Sequence, residues 1–187
     1  MKEYTVKELM VPLSEYATVV EGATLFEAIS ALEKAQEEFD HFKYRHRAVL
    51  VLDSKKRVVG KLGHMDVIRA IEPKPEYPEE LDELDKFGFS PAYVMDLKRR
   101  GRLKSAPLKA LCIDAMTVKV EDLMHAPGES ECIDQEASIV IAMHQLVMGN
   151  HLSLLVKQGQ DIVGILRLTD VFAAVFHAMK EYEITER

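Results

Sequence analysis

The 187-residue chain is 48% hydrophobic and carries 24 Lys and Arg against 31 Asp and Glu, a formal charge of -7. That apolar content suffices for one large core or two small ones, and the acidic balance argues against chain-wide attraction to nucleic acid or an anionic membrane. No apolar run approaches the roughly 18 residues that span a bilayer, and the start MKEYTVKELM has no apolar signal core, so the cytoplasm is the expected compartment. Cys112 and Cys132 lack CxxC spacing and are expected as free thiols.

From the N-terminus, the first recognisable feature is Val6-Lys7-Glu8-Leu9-Met10, which recurs as Val120-Glu121-Asp122-Leu123-Met124. The register of this internal repeat persists, pairing Thr24 with Ser138, Ala28 with Ala142 and Leu32 with Leu146. It then shortens, pairing Gly60 with Gly164 and Asp66 with Asp170. The first copy therefore carries extra residues, expected within Glu33 to His46.

Each copy begins with an extended segment, Tyr16 to Val20 or Glu131 to Ile133. In the first copy a helix follows from Thr24, where Thr24 and Glu27 form a capping box and Leu25, Ala28, Ile29 and Leu32 make a buried stripe. Its counterpart opens near Gln135 to Ser138 and buries Ile139, Ala142, Met143 and Leu146. Two short apolar runs come next, Ala48 to Leu52 and Val58 to Leu62, matched by Leu152 to Val156 and Ile162 to Leu166. They suit strands covered on both faces, and Gly159 supplies a positive φ in the second turn. Helices at Met65 to Ile71 and Thr169 to Met179 close the units.

These elements predict an α/β (α+β) fold of two β-α-β-β-α repeats, residues 1–71 and 120–187, with 72–119 inserted between them. Pro78 introduces a predicted helix at Glu79 to Phe87, and Ser90-Pro91 caps a second that runs to Arg100. A third begins at Ser105 to Pro107 with Leu108, Leu111, Cys112 and Ala115 on one side. Phe87, Phe89, Tyr93, Leu108 and Leu111 are expected to pack this insertion on the repeats. Apolar faces that include Val67, Ile68, Val171, Phe172 and Val175 are expected to be only partly covered, which predicts a homodimer.

The paired Val-x-x-Leu-Met segments, with Val59-Gly60-Lys61-Leu62-Gly63-His64-Met65-Asp66 and Val163-Gly164-Ile165-Leu166-Arg167-Leu168-Thr169-Asp170, resemble a tandem pair of CBS domains, a Bateman module. The resemblance implies repeats packed through their sheets with pseudo-two-fold symmetry and adenosyl ligands such as AMP, ATP or S-adenosylmethionine in the clefts, with no cofactor required. It implies a regulatory, non-catalytic protein that signals to an effector partner. In the family's Gly-h-x-Thr/Ser-x-x-Asp motif, h being apolar, the Asp takes the ribose hydroxyls, a role that falls to Asp66 and Asp170. The hydroxyl position holds Gly63 and Arg167 instead. Gly63 either packs tightly or lets backbone amides reach an anion, and Arg167 either grips phosphate, pairs locally or fills the cleft.

Two other readings stand beside this one. A ligand-free dimerisation scaffold is favoured by the missing hydroxyls, and the basic cluster Lys98-Arg99-Arg100-Gly101-Arg102-Leu103-Lys104 is where a nucleic-acid reading would start. Without interleaved aromatics, and with Glu79, Glu80, Asp82, Glu83 and Asp85 nearby, that cluster is expected to be solvated surface. His41, His46, His64, His125, His144, His151 and His177 match no metal-site spacing and are expected as surface or core residues, and no catalytic constellation is present.

Overall fold

The structure, a computed structural model, describes residues 4–38, 46–72, 90–93, 95 and 107–185. The predicted helix at Glu79 to Phe87, Phe89, His41 and the basic cluster at 98–104 lie outside these residues. Residues 91–93 and 95 are helical, and the Tyr93 N–H donates to Ser90 Oγ at 3.3 Å, the expected cap.

The helices are α1 (Val6–Leu9), α2 (Leu25–Glu38), α3 (His64–Ile71), α4 (Leu108–Met116), α5 (Ile139–Gly149) and α6 (Leu168–Thr185). The strands are β1 (Val11–Pro12), β2 (Thr18–Val20), β3 (Ala48–Leu52), β4 (Val58–Gly63), β5 (Cys132–Asp134), β6 (Ser153–Gln158) and β7 (Asp161–Arg167). One sheet has the order β2-β3-β4 and the other β1-β7-β6-β5. In each, the first strand of the repeat pairs in parallel with the next, which forms an antiparallel hairpin with the last, and both hairpins shift register at equivalent places, Val51/Leu52 and Val156/Lys157. Helix α2 starts at the expected capping box: the Thr24 N–H donates to Glu27 at 2.7 Å and the Glu27 N–H to Thr24 Oγ1 at 3.2 Å. Gly159 turns the second hairpin with φ of +65°.

The repeats read from sequence are not the units that pack. The leading segment of the first copy lies on the second: β1 pairs with β7, Val11 opposite Ile165 and Pro12 opposite Gly164, and Val6, Leu9 and Met10 belong to the core built on Ile133, Ala142, Leu146 and Leu154. The leading segment of the second copy lies on the first, with Lys61 bridged to His125, and Val120, Leu123 and Met124 packed with Leu25, Ala28 and Val49. The hydrogen bonds repeat the exchange. The Val120 N–H donates to Ala23 O at 3.0 Å, as that of Val6 does to Ala137 O at 2.9 Å. A third apolar cluster, Val11, Tyr16, Leu50, Leu155 and Ile165, joins the two sheets.

The motif glycines make this exchange possible. A Cβ at Gly164 would stand 2.6 Å from the Val11 carbonyl oxygen and 2.9 Å from Met10 Sδ, and a Cβ at Gly60 would collide with Met124. The Met of each Val-x-x-Leu-Met thus covers the Gly of the other copy.

Two expectations need correction. Val171 is buried within the second repeat and is not part of a half-covered face, because it points into the core beneath α6. In the insertion, Ala115 is buried and Leu111 and Cys112 are half-buried, whereas Leu108 and Tyr93 are exposed and do not anchor it.

Overpacking predicts a ranking of substitutions. Gly164→Ala meets rigid backbone and should cost about 1–3 kcal/mol in denaturant unfolding. Gly60→Ala should cost less, since the Met124 side chain can turn aside. Equal, negligible costs at both positions would contradict the exchange.

Candidate ligand cleft

The exchange builds a cleft of about 380 Å³ between the N-terminal segment and α6. Tyr4, Glu8, Leu9, Met10, Val11, Pro12 and Glu15 form one wall. Arg167, Asp170, Ala173, Ala174 and His177 form the other. Such a volume lies within the usual range for small-molecule sites, roughly 300–1,000 Å³.

Arg167 and Asp170 sit here because β7 runs directly into α6, which places Asp170 in the first turn. Its carboxylate accepts from the Arg167 N–H at 3.2 Å, satisfying a donor at the helix start. The Arg167 guanidinium grips the same carboxylate as a fork, Nε to Oδ2 at 2.7 Å and Nη2 to Oδ1 at 2.6 Å. Arg167 is only 5% exposed, so this is a buried pair in the cleft wall. Of the readings open for Arg167, the observed geometry is local pairing.

The equivalent place in the first repeat differs. Asp66, also buried, accepts from the Gly63 N–H at 2.8 Å and from Arg69 Nη1 at 3.2 Å, with His125 Nδ1 at 3.8 Å. Arg69 is exposed, so its hold on Asp66 is screened by water. Gly63 has φ of -91° and room for a Cβ, whose nearest neighbour would be Asp66 Oδ2 at 3.4 Å. It is therefore not a tight-packing residue. The structure thus keeps each motif aspartate beside its own partner at position 63 or 167, and holds the two pairs in separate repeats.

Behind Arg167, at the junction of the sheets, lie two groups that sequence reasoning did not single out as a pair. The Tyr16 and His46 rings meet edge to face with centroids 4.4 Å apart. Burial pushes the Tyr16 phenol up to about 12, against the opposing pull of the Arg167 charge. Burial, and then the same charge, holds His46 down to about 4, so it is neutral at physiological pH. His46 is thus a core histidine, and no three His, Cys, Asp or Glu side chains among the described residues are grouped to hold a metal. Arg167 links this buried cluster to the cleft. The wall residues Glu8, Glu15 and His177 were also missed, because only the exchange brings the N-terminal segment to α6.

The comparisons with known proteins agree with this architecture. The profile of the CBS domain family matches residues 6–73. No curated relative matches the sequence. Among solved structures, that of CBSX2 in complex with AMP is 18% identical with a TM-score of 0.59, covering 93% of this chain and 97% of that one. A CBS domain-containing protein of unknown function from Bacillus anthracis is 16% identical with a TM-score of 0.62, covering 93% and 94%. The CBS domain of a membrane protein from Sphaerobacter thermophilus is 18% identical with a TM-score of 0.58, covering 92% and 88%. No helix among the described residues is long and apolar enough to cross a membrane.

Two measurements follow from the buried groups. Asp170→Ala removes the carboxylate forked on the buried Arg167 and should cost about 3–5 kcal/mol, whereas Arg167→Leu with Asp170→Leu should cost much less; additive losses in denaturant melts would contradict the pairing. The folded pKa of His46 is depressed, so its contribution to stability is full above pH 6.5 and is lost as pH falls towards 4, up to roughly 3 kcal/mol. Melting temperature should fall over that window in the wild type and less steeply in His46→Leu. Parallel profiles would contradict a buried neutral His46.

Proposed function

We propose that this chain, which carries a CBS domain at residues 6–73 and has the fold of CBS-domain pairs throughout, is a non-catalytic, cytoplasmic sensor. It binds an adenosyl compound in the cleft of the second repeat and passes that occupancy to an effector protein. The observation that carries this reading is the position of Asp170, in the wall of a cleft sized for a small molecule and at the place where the motif puts its ribose acceptor. The AMP held by CBSX2, a protein of the same fold, supports the ligand class.

Charge narrows the choice among AMP, ATP and S-adenosylmethionine. Arg167 is balanced by Asp170, and Glu8 and Glu15 add two carboxylates to the lining. By formal charge of the lining side chains alone, three carboxylates face one guanidinium, which opposes a triphosphate and attracts a sulfonium. S-adenosylmethionine is therefore the favoured ligand and ATP the least favoured. In this reading Asp170 accepts from the ribose, and Arg167 is a positioning residue that orients it. Asp66 with Gly63 forms a second candidate site in the first repeat.

The protein works as a homodimer in the same proposal. Leu168, Phe172 and Phe176, four residues apart on α6, are exposed, as are Met65 and Ile68 on α3. Exposed apolar side chains of this kind mark an interface. The rival reading, a ligand-free dimerisation scaffold, draws on the Arg167 fork that already occupies Asp170.

Titration calorimetry separates these readings. The wild type should bind S-adenosylmethionine more tightly than AMP, and AMP more tightly than ATP. Asp170→Asn should weaken the strongest of these roughly tenfold to a hundredfold, and Asp66→Asn less. Wild-type affinity in both variants would remove the ribose assignment, and no binding of any of the three would favour the scaffold. Light scattering at tens of micromolar should give a dimer, and Phe172→Ser with Phe176→Ser a monomer; a wild-type monomer would contradict the interface.

A further inference from the structure

The hairpins of the two repeats meet at their turns as well as through their strands. There the β3–β4 turn of the first repeat and the β6–β7 turn of the second enclose a cavity of about 510 Å³. Lys55, Lys56 and Arg57 stand on one side and Gln160 and Asp161 on the other, with Val58 and Ile162 between them. Those two apolar side chains are half-buried against the cluster that joins the sheets, which gives the cavity a fixed floor. The motif aspartates follow the far ends of the same strands. Asp161 and Arg167 are the two ends of β7, about 20 Å apart at the rise of an extended strand, so the cavity is separate from the adenosyl cleft.

Asp53 holds the basic side of the cavity in place. Its Oδ1 accepts from the Lys55 and Arg57 N–H groups, each at 2.8 Å, and its Oδ2 accepts from Arg57 Nε at 2.8 Å and Nη2 at 2.6 Å. Arg57 is thereby neutralised. Lys55 and Lys56 are exposed, and neither has a carboxylate within ion-pair distance among the described residues. Lys56 also has φ of +61°, a left-handed conformation that glycine adopts at lower cost, and the second hairpin turns through Gly159 at +65°. A chain of net charge -7 thus sets two unpaired ammonium groups side by side at a turn where glycine would be the easier residue.

We propose that this cavity binds a small phosphate monoester that carries hydroxyl groups, of the sugar-phosphate class. Lys55 and Lys56 match the two charges of the phosphate dianion and donate to its oxygens. On the opposite side the Asp161 carboxylate accepts from the ligand's hydroxyls, and the Gln160 amide both donates and accepts. Asp161 faces the lysines across the cavity, and its charge opposes the longer anionic chain of a di- or triphosphate. A ligand so placed ties the turn of one repeat to the turn of the other. Its binding does not depend on the reading given for the adenosyl cleft.

The test titrates ribose 5-phosphate into the full chain by calorimetry at low salt, with ribose and inorganic phosphate as comparison ligands. Saturable binding of the ester is expected, at least about tenfold tighter than that of either fragment, and weakened at least about tenfold by Lys55→Ser with Lys56→Gly. Lys56→Gly relieves the left-handed lysine, so the double variant should melt at or above the wild-type temperature, and its loss of affinity is then no loss of fold. Absence of saturable binding would overturn the proposal. Binding that ignores the two lysine substitutions would assign the ester to another site, the adenosyl cleft included, and would overturn it as well. Inorganic phosphate bound as tightly as the ester would contradict the part given to Gln160 and Asp161 and with it the ligand class.

Discussion

Each leading segment of the chain completes the repeat to which it does not belong in sequence, and the rest of the structure depends on that crossing. It is enforced by contact at two glycines, Gly164 beneath Met10 and the Val11 carbonyl, and Gly60 beneath Met124. Backbone hydrogen bonds from Val6 and Val120 tie the segments at the other end. Neither core closes without a piece of the other copy, since Val6 is fully buried in one and Val120 in the other. The cleft is a product of the same crossing. Its walls come from residues 4–15 and from α6, more than a hundred and fifty positions apart in sequence.

Polar groups at the sheet junction are the second constraint. Arg167 is buried and forked on Asp170, with Tyr16 and His46 behind it. A buried ion pair contributes little over an apolar pair of equal volume, but removing one partner is costly. The cluster therefore holds Asp170 in a single orientation, which is what an acceptor for two ribose hydroxyls requires. A bound ribose would compete with Arg167 for the lone pairs of Asp170. The first repeat makes the opposite compromise, with no side chain at Gly63 and only a solvent-exposed Arg69 on Asp66.

Much of this was legible in the sequence because it rests on local rules. The Thr24 and Glu27 box, the turn at Gly159 and the alternation of strands and helices follow from caps, positive φ and apolar periodicity. The repeat register placed Asp66 and Asp170 at equivalent positions, and both lie in the first turn of a helix. The exchange was not legible, because Val6 to Met10 and Val120 to Met124 are nearly the same sequence and pattern alone does not say which copy each one covers. The depth of His46 was hidden for a similar reason: ahead of a strand, surface and core both stay open until Tyr16 from another element is laid against it. At Gly63 both tight packing and an open backbone were compatible with the sequence, and the backbone has room.

The central claim, that the crossing of leading segments forms the ligand cleft, is tested most directly by amide hydrogen exchange with and without saturating S-adenosylmethionine. The account predicts slower exchange in the wall from Tyr4 to Glu15 and at the start of α6, with the segment from Lys119 to His125 unchanged. Protection confined to Lys119 to His125 and α3, or absent from Tyr4 to Glu15 altogether, would contradict it.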